Sequence, residues 1–97
     1  MPELRDHSIL IVVESEITQL INALQEAIER EGGEALVVGD HPDAVADTLT
    51  RFDFTAAAVN GENQDLVAQL NLPTVIFYND DAPDQIVARL RRALAST

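Results

Sequence analysis

An uninterrupted run of five aliphatic residues, Ile9 to Val13, constrains the fold of this chain more than any other feature. Four of the five are β-branched, which favours a strand over a helix. A strand with one exposed face would alternate apolar and polar residues, so this run predicts a strand that is buried on both faces, in the middle of a parallel sheet. Glu14 and Glu16 follow it directly. We therefore expect both acids at the carboxyl end of the strand, the edge where open α/β sheets bind ligands.

Apolar residues then alternate between helical and extended spacing along the rest of the chain. Helical spacing after Glu16 predicts a first helix, which the glycines Gly32 and Gly33 should end. Short apolar runs predict three more strands, and start signals for helices separate them. The further strands are predicted at Ala35–Val38, Phe54–Val59 and Pro73–Tyr78, and the further helices begin near Pro42, Asn63 and Pro83, with Phe52 on the buried stripe of the second helix.

This order of elements predicts one α/β domain over residues 1–97. Strands that alternate with helices imply βαβ units, in which a parallel sheet has helices on both faces. The sequence contains no linker, no low-complexity segment and no convincing repeat. A chain of 97 residues is long enough for one such domain and too short for two.

The charge and two missing residue types exclude several kinds of chemistry. A net charge of −11 repels nucleic acid and anionic membrane surfaces, so neither is expected as a partner. Cysteine is absent, which excludes disulfides and thiolate sites. All six basic residues are arginines, so Schiff-base chemistry on a lysine side chain and a P-loop lysine are also excluded. No membrane span or secretory leader is seen, and we expect a cytoplasmic protein.

Four segments, in this order, resemble a response-regulator receiver domain of two-component signalling. They are Ile9-Leu-Ile-Val-Val-Glu-Ser-Glu16, the Gly32-Gly33 break, Arg51-Phe-Asp-Phe-Thr-Ala-Ala-Ala-Val-Asn60 and Leu72-Pro-Thr-Val-Ile-Phe77. The resemblance implies a flavodoxin-like fold, a three-layer αβα sandwich around a parallel sheet. It also implies a site at the carboxyl ends of the strands that accepts a phosphoryl group from a histidine kinase.

The positions that carry function in receivers are mostly replaced here. Receivers end their first strand with an acidic pair that holds Mg²⁺, whereas this chain has Glu14 and Ser15, with Glu16 beyond them. The phosphoacceptor aspartate matches Asn60, whose amide cannot attack a phosphoryl donor. Tyr78 lies near the place of the hydroxyl residue that senses the phosphate. The lysine of the fifth strand has no counterpart, because the chain contains none.

The chain is also shorter than a receiver, and the resemblance implies that the fourth helix and fifth strand are missing. The sheet should then have four strands in the order 2-1-3-4, with the fourth strand at an edge. An uncharged apolar edge strand invites pairing with another chain. We therefore predict an interface, most simply of a homodimer, at the residues Thr74, Val75, Ile76, Phe77, Arg89 and Arg92.

These observations predict a degenerate pseudo-receiver that is not an enzyme. It would bind a protein partner, a histidine kinase or another regulator, without phosphorylation and without a cofactor. One alternative is a Mg²⁺-linked switch that keeps some phosphoryl recognition through Glu14 and Glu16, with Asp40, Asp80 or Asp81 nearby. These acids are otherwise solvated loop residues. Another alternative is a small-ligand site between the first and third strands.

Several of these residues also have simpler structural interpretations. Asn60-Gly61 is a strong turn dipeptide, a role that is compatible with a pseudo-acceptor. Tyr78 is either a gating aromatic or a core residue with a wet hydroxyl. His41 precedes Pro42 and is expected to start a helix, and neither it nor His7 is accompanied by a serine or cysteine in a triad-like arrangement. Arg89, Arg91 and Arg92 either bind an acidic partner or balance the charge of their own helix end.

Overall fold

We describe residues 4–13, 18–61 and 64–95 of the chain from a computed structural model. These residues form a four-stranded, all-parallel sheet in the order 2-1-3-4 and four helices. The strands are β1 (Ser8–Val13), β2 (Glu34–Gly39), β3 (Ala56–Asn60) and β4 (Thr74–Phe77). The helices are α1 (Thr18–Arg30), α2 (Pro42–Arg51), α3 (Gln64–Leu70) and α4 (Pro83–Ala95). The predicted α/β class and strand order are confirmed.

The central strand β1 is buried on both sides, as its aliphatic run predicts. Ile9 and Ile11 pack into an apolar cluster that includes residues of α1 and α4. Leu10 and Val12 pack into a second cluster that includes residues of α2 and α3. All four are completely buried. Because successive strand residues point to opposite faces, the two clusters lie on opposite faces of the sheet.

The small residues of β3 share this two-sided burial. Ala56 and Ala58 belong to the cluster under α1 and α4, whereas Ala57 lies with Val59 in the other. Alanine alone favours a helix, but its small side chain also lets a helix approach a sheet closely. Burial on both faces decides the outcome, and the three alanines form a strand as the context predicts.

The end of α2 differs from the sequence prediction. Phe52 was expected on the buried stripe of this helix, but α2 ends at Arg51 and Phe52 is its extended C-cap residue, 55% exposed. The prediction was wrong because a helical stripe places a side chain only while the backbone stays helical. The following strand also begins later than expected, at Ala56, which leaves Phe54 half-buried before it.

The segment before β1 contributes a buried side chain to the core and is hydrogen-bonded to the residue that follows α1. Leu4 is completely buried and packs in the cluster with Ile28. The backbone N–H of Leu4 donates to the carbonyl of Glu31 at 3.0 Å. A Cβ atom on Gly33 would lie 3.1 Å from atoms of Leu4 and Ile28, so a larger residue there would force these neighbours to shift. In the described part of the chain, no helix has both the length and the apolar character of a membrane span.

Candidate functional site

Asn60 closes β3 at the carboxyl edge of the sheet, where the receiver resemblance places its phosphoacceptor. It pairs in register with Phe77, the last residue of β4. Its side-chain Nδ2 donates to Asn79 Oδ1 at 3.1 Å and makes a longer contact of 3.4 Å with the carbonyl of Phe77. The amide is therefore used as a donor to two groups of its own chain.

Gly61 makes the turn after Asn60. Its φ angle is 82°, in the left-handed region that glycine adopts most readily. Its backbone N–H donates to the carbonyl of Phe77 at 2.9 Å, so β3 and β4 stay joined at this end. The turn role of Asn60-Gly61 is confirmed, and it coexists with the side-chain contacts of Asn60.

The segment after β4 forms a tight turn around Asp81. The N–H of Tyr78 donates to Asp81 Oδ2 at 2.8 Å, and the N–H of Asp81 donates to the carbonyl of Tyr78 at 3.0 Å. The Tyr78 side chain is 45% exposed. The interpretation of Tyr78 as a core aromatic was wrong, because the chain turns outward immediately after Phe77.

Arg89 of α4 binds this turn with both ends of its guanidinium group. Nη2 lies 3.1 Å from Asp81 Oδ1, and Nη1 lies 3.3 Å from Asp81 Oδ2 and 3.2 Å from the carbonyl oxygen of Ile76. The hydrogen bond from Arg89 lowers the pKa of the Asp81 carboxyl, and the Tyr78 N–H lowers that pKa further. Two-pronged contacts of this kind fix orientation as well as charge. Sequence reasoning did not pair these residues, although an acid before a helix and an arginine on its second turn can meet.

The arginines of α4 interact with other residues of this chain. Arg91 forms an ion pair with Glu31, which follows α1, and Arg89 is held by Asp81. Arg92 also has an interaction within the structure. The prediction that Arg89 and Arg92 meet a partner stays a prediction. Arg89 would have to bind that partner while keeping or exchanging Asp81.

The predicted interface strand β4 lies at the edge of the sheet, but its side chains divide between two environments. Val75 and Phe77 are 7% and 0% exposed and belong to the core under α1 and α4. Thr74 and Ile76 are partly exposed. A partner at this edge could therefore contact Thr74 and Ile76 directly, whereas Val75 and Phe77 support the strand from within.

The residues that match the acidic pair of receivers, a vestigial acidic pocket in the pseudo-receiver interpretation, cannot be located in the same way. Glu14, Ser15 and Glu16 lie outside the described residues. The two alternatives, a Mg²⁺-linked switch at these acids and a small-ligand site between β1 and β3, therefore stay untested. Asp40 follows β2, and Asp80 is exposed in the turn before α4. Within residues 4–13, 18–61 and 64–95, no three acidic or histidine side chains come together in a group that could hold a metal ion.

The two histidines have structural contacts. His41 is the extended N-cap residue of α2, as predicted, and makes no side-chain cap hydrogen bond. The Nδ1 atom of His7 lies 3.1 Å from Thr55 Oγ1, which ties the segment before β1 to the segment before β3. In the described part of the chain, neither histidine is a hydrogen-bond partner of Asn60 or Asp81.

A second feature, which the sequence did not predict, lies at the opposite edge of the sheet. Leu36 of β2, Phe52 and Phe54 line a cleft of about 240 Å³, together with Ser8, Glu34, Ala35 and Asp53. Leu36 is 38% exposed and Phe52 is 55% exposed. The available signal was the pair of phenylalanines that flank Asp53, but the helical stripe placed one of them in the core.

Searches against protein-family models, curated proteins and solved structures found no match to this chain.

Proposed function

We propose that this chain is a pseudo-receiver, a shortened flavodoxin-like module that acts by protein–protein contact without phosphorylation. In this proposal it is not an enzyme and needs no cofactor. Its partner is a histidine kinase or another regulator of bacterial signal transduction. The parallel sheet in the order 2-1-3-4 is consistent with this fold. Fold alone carries no function, so the proposal depends on the residues at the carboxyl edge.

The observation that carries the proposal is the state of Asn60. A carboxylate at this position would offer two acceptor oxygens to a metal ion and to a phosphoryl donor. Asn60 instead donates from Nδ2 to Asn79 and contacts the carbonyl of Phe77. An amide nitrogen is not a nucleophile for phosphoryl transfer, and this one is already bound to acceptors. The 97 residues also contain no lysine to hold a phosphoryl group.

The same contacts favour a single conformation of the edge. Receivers switch when a phosphoryl group reorganises the loops at this end of the sheet. Here the ends of β3 and β4 are joined through Asn60, Gly61 and Asn79, and the next turn is held by Asp81 and Arg89. A module with a fixed edge suits constitutive docking better than a phosphorylation switch.

Incubation with Mg²⁺ and acetyl phosphate, followed by intact mass measurement, tests the proposal that the chain does not accept a phosphoryl group. We expect no phosphoryl adduct on the native chain. An adduct that maps to an acidic residue at the carboxyl edge would contradict the proposal and favour the Mg²⁺-linked alternative. A receiver with its aspartate intact, treated in the same way, serves as the positive control.

Homodimerisation at β4 and α4 is part of the proposal and has its own test. Sedimentation velocity across a concentration series measures the mass directly. Ile76→Glu places a charge on a partly exposed side chain of the edge strand and should shift the equilibrium toward monomer. Asp65→Asn, on the exposed surface of α3, is the control. A native chain that stays monomeric throughout the series would exclude the dimer.

A further inference from the structure

The edge formed by β2 leaves backbone groups open to a partner. In the described part of the chain, β2 pairs with β1 alone. The N–H of Glu34 donates to the carbonyl of His7 at 3.0 Å, so Glu34 and Leu36 point their backbone groups toward β1. Because alternate residues of a strand point in opposite directions, the N–H and C=O groups of Ala35 and Val37 point outward. This edge can therefore accept another strand.

The two edges of the sheet differ in how they are covered. At β4, the carbonyl of Ile76 accepts from Arg89 and the N–H of Tyr78 donates to Asp81. Proteins commonly protect edge strands with charges, prolines or short length. β2 has six residues against four in β4, and its sequence Glu-Ala-Leu-Val-Val-Gly has no proline and only one charge, at its first position. β2 is the longer and less protected edge.

An apolar cleft lies beside this open edge. Leu36 projects from β2 on the same face as α2, and it is joined by Phe52 and Phe54. The two phenylalanine rings are 6.4 Å apart between centroids and tilted by 59°, a favourable aromatic arrangement. The cleft volume of about 240 Å³ is large enough for one bulky side chain. An incoming strand would pass directly beside it.

The charges around the cleft select the kind of partner. Both charged residues that line it, Glu34 and Asp53, are acids. Arg51 directly precedes Phe52 in the sequence, but it forms an ion pair with Asp47, in which Nε and Oδ2 are 3.1 Å apart. A second copy of this chain would bring the same two acids and a further net charge of −11 to the contact. A cationic partner has the complementary charge.

We propose that β2 and this cleft bind an extended basic segment of a partner protein by strand addition. The segment pairs with the outward backbone groups of Ala35 and Val37 and places a large apolar side chain among Leu36, Phe52 and Phe54. Glu34 and Leu36 project to the same face because they are two residues apart in a strand. A lysine or arginine two residues from the apolar anchor therefore lies beside Glu34. The predicted recognition pattern therefore has a basic residue two positions from the apolar side chain, on whichever side lies beside Glu34.

The edge of β2 and its cleft add to the proposed function a docking surface and the chemistry of the partner that binds there. It does not depend on Asn60, which lies at the carboxyl end of β3. The two claims therefore fail separately, since one is read from amides at β2 and the other from amides at the carboxyl edge.

A synthetic peptide tests the proposal directly. The probe is the blocked heptapeptide Thr-Lys-Thr-Phe-Thr-Lys-Thr, titrated into labelled full-length chain and followed by amide nitrogen–proton correlation spectra. We expect saturable shifts of Ala35, Leu36 and Val37 together with Asp53 and Phe54. Higher salt should weaken the binding, because exposed charge pairs are screened. A peptide with glutamate in place of both lysines should not bind.

Two variants with matched controls complete the test. Phe52→Ser removes an aromatic anchor that is 55% exposed and should weaken binding by about fivefold or more. Tyr78→Ser, which removes the other exposed aromatic identified, should leave it unchanged. Asp53→Asn should weaken binding about twofold to threefold, and Asp65→Asn on α3 should not. The proposal fails if the glutamate peptide binds equally well, if the shifts fall elsewhere, or if β2 is already covered by a second copy in solution.

Discussion

Asn60 has two roles, one in the turn after β3 and one in hydrogen bonds of its side chain. Its position at the end of β3 and the positive φ of Gly61 make the turn, while its Nδ2 binds Asn79 and the carbonyl of Phe77. A residue that serves only as a turn former would not need these side-chain contacts. The amide therefore holds the carboxyl edge of the sheet in addition to shaping the loop.

Restoring an acid at this position should cost stability without restoring phosphorylation. Asn60→Asp removes the donor to Asn79 and Phe77 and directs a carboxylate toward two oxygen atoms. We expect the free energy of unfolding to fall by about 1 kcal/mol, the usual net worth of a hydrogen bond. Urea unfolding measures this change, and acetyl phosphate treatment should still give no adduct. A variant that is both more stable and phosphorylated would contradict the account.

Asp81 should contribute to the acid dependence of stability. Its hydrogen bond from Arg89, with the Tyr78 N–H, lowers its pKa in the folded chain. A carboxyl with a lower folded pKa stabilises the fold while it is ionised in both states, and this contribution is lost as the pH falls through the folded pKa. The difference in unfolding free energy between native chain and Asp81→Asn should therefore be largest near pH 7 and shrink below about pH 4. A difference that does not change with pH would contradict this role.

Among the helices and strands, those whose composition, apolar pattern and flanking residues all indicate the same structure could be predicted from the sequence. β1 is aliphatic from Ile9 to Val13 and buried on both faces, so its place in the centre of the sheet could be predicted from this run alone. The strand conformation of the three alanines in β3 could be predicted from the residues that flank them. The end of α2 did not follow, because the pattern of apolar residues continues to Phe52 while the backbone becomes extended there. Local spacing carries no information on which residue stops being helical.

The burial of Leu4 can be tested through its contribution to stability. Leu4 precedes the first strand by four positions and no periodic pattern includes it, yet it is completely buried. Leu4→Ala should lower the free energy of unfolding by about 2–5 kcal/mol, the range for a large aliphatic side chain removed from a core. Leu36→Ala, at 38% exposure, is the matched control and should cost about 1 kcal/mol or less. Equal losses in thermal or urea unfolding would show that Leu4 does not belong to the core.

At the scale of the whole molecule, the strand order could be predicted, but the character of the two edges could not. The position of β4 at one edge followed from the receiver resemblance and the short chain. Its protection by Arg89 and Asp81 depends on a contact between α4 and the preceding turn that sequence spacing does not specify. The exposure of β2 beside Leu36 and Phe52 depends on where α2 ends. The candidate docking surface therefore appears only once the elements are assembled.

An amide correlation spectrum of the full chain, recorded with and without Mg²⁺ and beryllofluoride, a mimic of an acyl phosphate, shows whether the carboxyl edge still recognises a phosphoryl group. We predict that the amide signals of Asn60, Gly61 and Tyr78 do not shift, because the Asn60 side chain donates to its own chain and offers no carboxylate. A saturable, joint shift of these amides would show that the edge still recognises a metal–phosphate unit. That result would contradict the pseudo-receiver proposal.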